Sequence, residues 1–359
     1  MKRAVLALAL ALGCTSGPRP MPPPPACSPG AIAGLDARAV RWNGHGWGAL
    51  LSDGHTLFLR EYSSSGEPRA QAVALSSEAG SVDLADLAWS RGAWWAAFVD
   101  RGHIGVRLMR VARGEARVAD RDSLVEGDLA VVPRDDASEP AAAFVETSEG
   151  LSLQRWLGGG DLGPAHPCPR GLRVRTITAR GDGYAALRVA QGALLLVYLD
   201  ERCRDIGDVP MTDDVDVARP MSLVVDREGA VAAWSDAAGH AHLAAVDAGS
   251  SHVRGTTLEG AVMPQRVVLQ PGRDGARRRV RVVAIRARPE GRQLLVYQLD
   301  LALHLVDFGG VTNEAVESVR FVAADPWGGA LVGWARDRSA RGVRSITGDA
   351  YLFMSRVCP

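Results

Sequence analysis

Apolar residues along this chain fall in short runs and period-two alternations, without the wider stripes of amphipathic helices. The stretch from residue 85 shows the pattern clearly. Ala85-Asp86-Leu87-Ala88-Trp89 predicts a strand, Trp94 to Asp100 (WWAAFVD) a buried one, and Ile104 to Val111 (IGVRLMRV) a third with alternating polarity. Glu115 to Ala119 predicts a fourth, more polar strand. The connections Arg91-Gly92, Arg101-Gly102-His103 and Ala112-Arg113-Gly114 are hairpin-sized and put glycine where a positive φ is expected. No stretch carries a sustained 3.6-residue period with caps at both ends, so the chain reads as all-β.

The same order of signals recurs. A small residue followed by a bulky one appears within an apolar run at Ala49-Leu50, Ala97-Phe98, Ala143-Phe144, Ala186-Leu187, Ala233-Trp234, Ala284-Ile285 and Gly333-Trp334, at intervals of 43 to 51 residues. The mean interval, about 47, lies in the range of four-stranded propeller blades. Third-strand signals recur around Leu57-Phe58-Leu59, Leu151-Ser152-Leu153, Leu194-Leu195-Leu196, His242-Leu243, Leu294-Leu295-Val296 and Leu352-Phe353-Met354. The expectation is a seven-bladed β-propeller of four-stranded antiparallel blades over residues 31–359, its ring closed near the two termini. Sheets converge toward such an axis, so a small side chain permits close approach while its neighbour fills the other face. A solenoid would need shorter or helical units, and a pair of sandwiches would not require seven copies of one strand order. The resemblance is to an architecture. The chain has no Trp-Asp blade signature, no kelch Gly-Gly doublet and no repeated sialidase box; the nearest fragment, Ser52-Asp53-Gly54-His55-Thr56, occurs once.

The N-terminus follows a different rule. Met1-Lys2-Arg3 is basic, Ala4 to Leu12 is an unbroken apolar run, and Gly13-Cys14 follows. That run is far short of the roughly 20 residues a membrane-spanning helix needs, and it reads as a signal peptide over residues 1–13. Ala11-Leu12-Gly13-Cys14 resembles the lipobox of bacterial lipoproteins, with Ala11 where Leu is commonest. The resemblance implies that Cys14 is lipidated and becomes the new N-terminus, which suffices for anchoring without any helix. Thr15, not Asp, follows the cysteine, a pattern that implies the outer membrane in Gram-negative lipoproteins. The competing expectation is a plain secretory peptide cut near Gly13, with Cys14 a bystander. Residues 14–30 hold seven prolines between Ser16 and Pro29 and read as an extended tether. Polyproline geometry rises about 3.1 Å per residue, enough to hold the folded part roughly 30 to 40 Å off a bilayer.

Composition narrows the function classes. The chain carries 41 basic and 41 acidic side chains and no formal net charge, which excludes a dedicated nucleic-acid binder. The single lysine, Lys2, lies in the signal peptide, and the arginines are scattered among acids. Five cysteines less Cys14 leave Cys27, Cys168, Cys203 and Cys358, an even number that implies two disulfides in an exported protein. A closed ring brings Cys27 and Cys358 together, which leaves Cys168 to pair with Cys203. No two of them have zinc-knuckle spacing.

Candidate chemistry sits in the turns after the second strands, which in propellers share one face with the links between blades. They carry Asp53 and His55, Asp100 and His103, Glu146, Asp236 and His240, and Asp337. Such a ring of carboxylates and imidazoles would suit a cation, a sugar or a peptide, although Asp and Gly also make tight turns for purely local reasons. His240-Ala241-His242 offers two imidazoles at i and i+2, and Asp213-Asp214-Val215-Asp216 lacks the glycine and distal glutamate of a calcium loop. Arg277-Arg278-Arg279 with Arg281 is expected in an exposed loop. No catalytic set, metal or cofactor is expected. The expected protein is a lipid-anchored monomer of the cell envelope that binds or scaffolds an unknown protein or glycan. The alternatives are a polysaccharide lyase or glycoside hydrolase on the same fold, or an assembly factor for envelope proteins.

Overall fold

The computed structural model describes residues 29–30, 36–52, 56–63, 67–69, 71–76, 82–100, 105–121, 125–134, 136, 138–158, 160–259, 262–270, 279–289, 291–310, 316–324, 330–336 and 352–357. Among the described residues, strands form seven four-stranded antiparallel sheets. Six are runs of four consecutive strands, from sheet 1 beginning at Asp36–Trp42 to sheet 6 ending at Leu305–Gly310. Sheet 7 takes Val316–Ala324, Ala330–Arg336 and Leu352–Val357 from the C-terminal end and Pro29–Gly30 from the N-terminal end. The first strands of successive sheets touch in cyclic order, and that of sheet 7 touches that of sheet 1, so the ring closes. The only helical element among the described residues is a three-residue 3₁₀ turn, Val174–Thr176.

Pro29–Gly30 departs from the expected tether. Pro29 pairs opposite Ser355 and Gly30 opposite Met354. The strand is the outermost of its sheet, and an edge position tolerates proline because one side of the strand needs no donor. Arg281, expected in a loop with Arg277, Arg278 and Arg279, lies in the second strand Arg279–Arg288 and is only 1% exposed. Val280 and the apolar run Val282 to Ile285 carry the strand through the arginine run, and residues 277–278 lie outside the described set.

All seven small–bulky doublets fall in second strands: Gly46–Ser52, Ala93–Asp100, Ala141–Thr147, Gly183–Ala190, Gly229–Ser235, Arg279–Arg288 and Ala330–Arg336. The face each member takes is not uniform. Phe98 packs with Leu50, Leu57 and Leu59 between sheets 1 and 2, whereas Ala97 packs with Ala143 and Trp156 between sheets 2 and 3. Phe144 turns the opposite way and meets Ala186 between sheets 3 and 4. A pleat has period two, so a one-residue slip between repeats exchanges the faces. Where two small members meet, tryptophans fill the gap: Trp95 and Trp156 are buried with ring centroids 5.5 Å apart.

Polar bonds at one-repeat separation join neighbouring sheets. Asp86, 4% exposed on the first strand of sheet 2, accepts from Arg41 of sheet 1 (2.7 Å) and from the Val131 N–H of sheet 3 (2.8 Å). Arg175 donates to Asp128 (2.6 Å), Arg173 to the Val217 carbonyl (2.9 Å) and Arg254 to the Leu301 carbonyl (3.3 Å). Cys168, in the link between sheets 3 and 4, is bonded to Cys203, in the turn before the last strand of sheet 4, as expected. Cys27 and Cys358 lie outside the described residues.

Candidate functional site

Antiparallel order gives the ring two different faces. One, the link face, carries the passages between sheets and the turns between second and third strands. The other, the hairpin face, carries the turns between first and second strands.

On the link face the expected residues are partly described. Asp236 and His240 are brought together: the Asp236 carboxylate accepts the His240 backbone N–H (2.7 Å) and contacts His240 Nδ1 (2.9 Å) and His242 Nε2 (2.8 Å). These bonds, His242 foremost and opposed by desolvation, hold the Asp236 carboxyl well below the usual carboxylate range. The other nitrogen of His242 contacts Thr257 Oγ1 (3.1 Å), and its ring stacks on Trp234. The His240–His242 pair is therefore turned onto one carboxylate, and no group of three metal-ligating side chains forms among the described residues. Asp214 accepts the Ala237 N–H (3.1 Å), and Asp216 pairs with Arg219 (2.8 Å), which ties the acidic link to the same turn. Glu146 accepts the Asp128 N–H (3.1 Å) and occupies the space a side chain on Gly127 would need. Asp100 ends its strand, with its side chain outside the described set. Asp53, His55, His103, Asp337 and Cys14 lie outside the described residues.

The hairpin face carries a feature that the sequence reading passed over. The ends of the first strands of sheets 2 to 5 surround an open cavity of about 950 Å³, lined among others by Arg91, Arg134, Arg180, Arg227 and Asp226. Each arginine comes from a different sheet, at or just beyond the last residue of its first strand. Arg91 sits in a two-residue turn with φ +52° before Gly92 at +75°, the backbone of a primed hairpin turn that twists with its strands. Arg180 lies over the Tyr198 ring at 4.1 Å, a contact that fixes its guanidinium.

Arg134 is the buried member, 8% exposed. It donates to Tyr184 Oη (2.7 Å) and to the Asp182 carbonyl (3.0 Å), both neutral acceptors. Burial pushes the Tyr184 hydroxyl above its ordinary range against the opposing pull of Arg134, so the phenol stays protonated. The one carboxylate among the described lining residues, Asp226, accepts through Oδ1 from the N–H groups of Glu228 (2.8 Å) and Gly229 (3.3 Å). The arrangement can hold anionic groups: guanidinium forks present paired donors at carboxylate geometry. Positions 91, 134, 180 and 227 recur at repeat intervals of 43, 46 and 47 residues, and that periodicity is the signal that would have found them.

The sequence matches no family model and no curated protein. Several solved structures share the fold. One, described as YCF48 bound to D1 peptide, aligns with a TM-score of 0.56 at 11% identity over 94% of this chain and 96% of that one. Kuenenia stuttgartiensis hydrazine synthase aligns at 0.52 and 11% identity over 87% and 96%, and the Dos1 propeller at 0.50 and 11% over 92% and 95%. At these identities the likeness concerns architecture: the chain is similar in fold to propeller proteins.

Proposed function

We propose that this protein is a non-catalytic binding or scaffolding module, held on the outer membrane of the cell envelope through an acylated Cys14. The observation that carries the binding reading is the open, cation-lined mouth on the hairpin face. A glycoside hydrolase on this scaffold would call for two facing carboxylates, and the described lining offers Asp226 alone, already bonded to backbone. A lyase would call for an Arg-His-Tyr group; arginines and Tyr198 are there, with no histidine among the lining residues. Anchoring is supported by the lipobox-like Ala11-Leu12-Gly13-Cys14 and the proline-rich segment behind it. YCF48, described as bound to a peptide, is a precedent for a propeller occupied in that way.

Two measurements test the reading. Cells expressing the full chain and given an alkyne fatty acid should label it and retain it in the membrane fraction, and Cys14→Ser should abolish both. Purified full chain incubated with acidic and neutral polysaccharides should release no new chain ends; depolymerisation at enzymatic rates would overturn the binding module.

A further inference from the structure

Resting on the binding-module reading and naming its ligand class, we propose that the cavity on the hairpin face receives a protein segment in which Asp and Glu alternate with aliphatic side chains. Among the described lining residues four guanidiniums stand against one carboxylate, in a chain whose overall charge balances. Local excess of one sign at a concave surface focuses the field on a ligand of the opposite sign.

Three of these arginines are not spent on hydrogen bonds inside the fold. Arg91 and Arg227 have no hydrogen bond or ion pair among the described residues, and Arg180 contacts only the neutral Tyr198 ring. Arg134 hydrogen-bonds to neutral acceptors, while the Asp136 and Glu139 carboxylates act on its charge from beyond hydrogen-bond contact. A buried guanidinium hydrogen-bonded to no anion keeps part of its desolvation cost, which a bound carboxylate would offset. The cation arc is also periodic. One arginine per sheet at successive first-strand ends presents charges at intervals along an arc, which suits an extended segment better than a single compact anion.

The surfaces between the charges discriminate among polyanions. They are Trp89, Pro133, Ala179, Val225 and Ala248, with no amide side chain among the described lining residues. A sugar ring needs both donors and acceptors for its many hydroxyls, and beside the guanidiniums the described lining supplies side-chain acceptors only on Ser90, Tyr198 and Asp226. Ser90 Oγ is itself committed to the Arg134 carbonyl at 2.7 Å. Aliphatic side chains between carboxylates find apolar contacts here and leave no polar group unpaired.

The test is fluorescence anisotropy on the full chain in detergent with a fluorescein-labelled peptide alternating Glu and Leu, and a Lys/Leu peptide as control. The Glu/Leu peptide should bind and weaken as NaCl is raised, and the Lys/Leu peptide should not bind. The double variant Arg180→Gln/Arg227→Gln removes two exposed charges outside the core and should raise Kd about tenfold or more. Arg113→Gln, in the outer turn of sheet 2 away from the cavity, should leave Kd unchanged, and unaltered melting of both variants shows that the fold is intact. No binding, equal binding of the Lys/Leu peptide, or an unchanged Kd in the double variant overturns the proposal. Displacement of the Glu/Leu peptide by polygalacturonate or pyrophosphate more readily than by its unlabelled form also overturns it, in favour of a glycan or a phosphate group. The binding-module reading fails separately, through polysaccharide turnover, so the two failures are distinguishable.

Discussion

Asp86 is the sharpest probe of how the ring is held together. Its carboxylate serves two neighbours at once, the Arg41 guanidinium of sheet 1 and the Val131 N–H of sheet 3. Asp86→Ala strips both. The Arg41 side chain is 36% exposed, so that ion pair is screened and contributes at most about 1 kcal/mol. The Val131 N–H is buried, and leaving it without an acceptor costs about 1 to 3 kcal/mol. The sum is about 1 to 4 kcal/mol for Asp86→Ala. Arg41→Ala should cost about 1 kcal/mol or less, and Asp86→Asn, which keeps an acceptor for Val131, should fall between. With an unfolding entropy of about 2.1 cal/mol/K per residue, a 3 kcal/mol loss in a chain of this length lowers Tm by about 4 °C. Urea titration followed by tryptophan fluorescence gives the same ordering through shifts in midpoint. Two results would refute the reasoning: Asp86→Ala within about 0.5 kcal/mol of the parent, or Arg41→Ala costing as much as Asp86→Ala. Either would mean that the buried backbone donor is satisfied without this carboxylate.

Other expectations follow from the same structure. Gly48 lies against the Trp94 ring so closely that a Cβ would overlap it, and Trp94 is fixed there by its 2.6 Å bond to Glu61, the residue paired opposite Gly48; Gly48→Ala should destabilise by about 1 to 3 kcal/mol in thermal melts. The Cys168–Cys203 bond closes a 35-residue separation, so replacing both cysteines by alanine should cost about 3 to 4 kcal/mol on the chain-entropy model, measured against the oxidised parent. The carboxyl of Asp236 is depressed in the folded state, so its contribution to stability is fully present above the ordinary carboxylate pKa and is lost as pH falls through the lower folded value. Melting temperatures of the parent and Asp236→Asn should therefore differ at neutral pH and converge in strong acid; a gap that widens in acid would reject the assignment.

Much of the architecture was legible because its signals are local. The apolar run of a second strand, the glycine of a two-residue turn and the recurrence of a small–bulky doublet need only sequence neighbours to be recognised. Seven doublets mark seven second strands, and the turns at Arg91-Gly92 and Arg113-Gly114 take the positive φ values expected of them. Pairing of Cys168 with Cys203 followed from ring closure and cysteine count. The site was harder to read. Asp236 and His240 stood among the candidate residues of one face, and the contact of the Asp236 carboxylate with His240 Nδ1 and His242 Nε2 is set by the turn and the strand register.

The sequence by itself determined the element type, the repeat length and the strand that each repeat places second, since a pleat of period two and a turn of fixed length are properties of a few adjacent residues. It did not decide which side of a sheet Phe98 or Phe144 would face, because a one-residue slip reverses the pleat without changing the pattern. Nor did it decide that Arg91, Arg134, Arg180 and Arg227 share one cavity. Residues a full repeat apart become neighbours only once the sheets close around an axis, and that closure is a property of the whole chain.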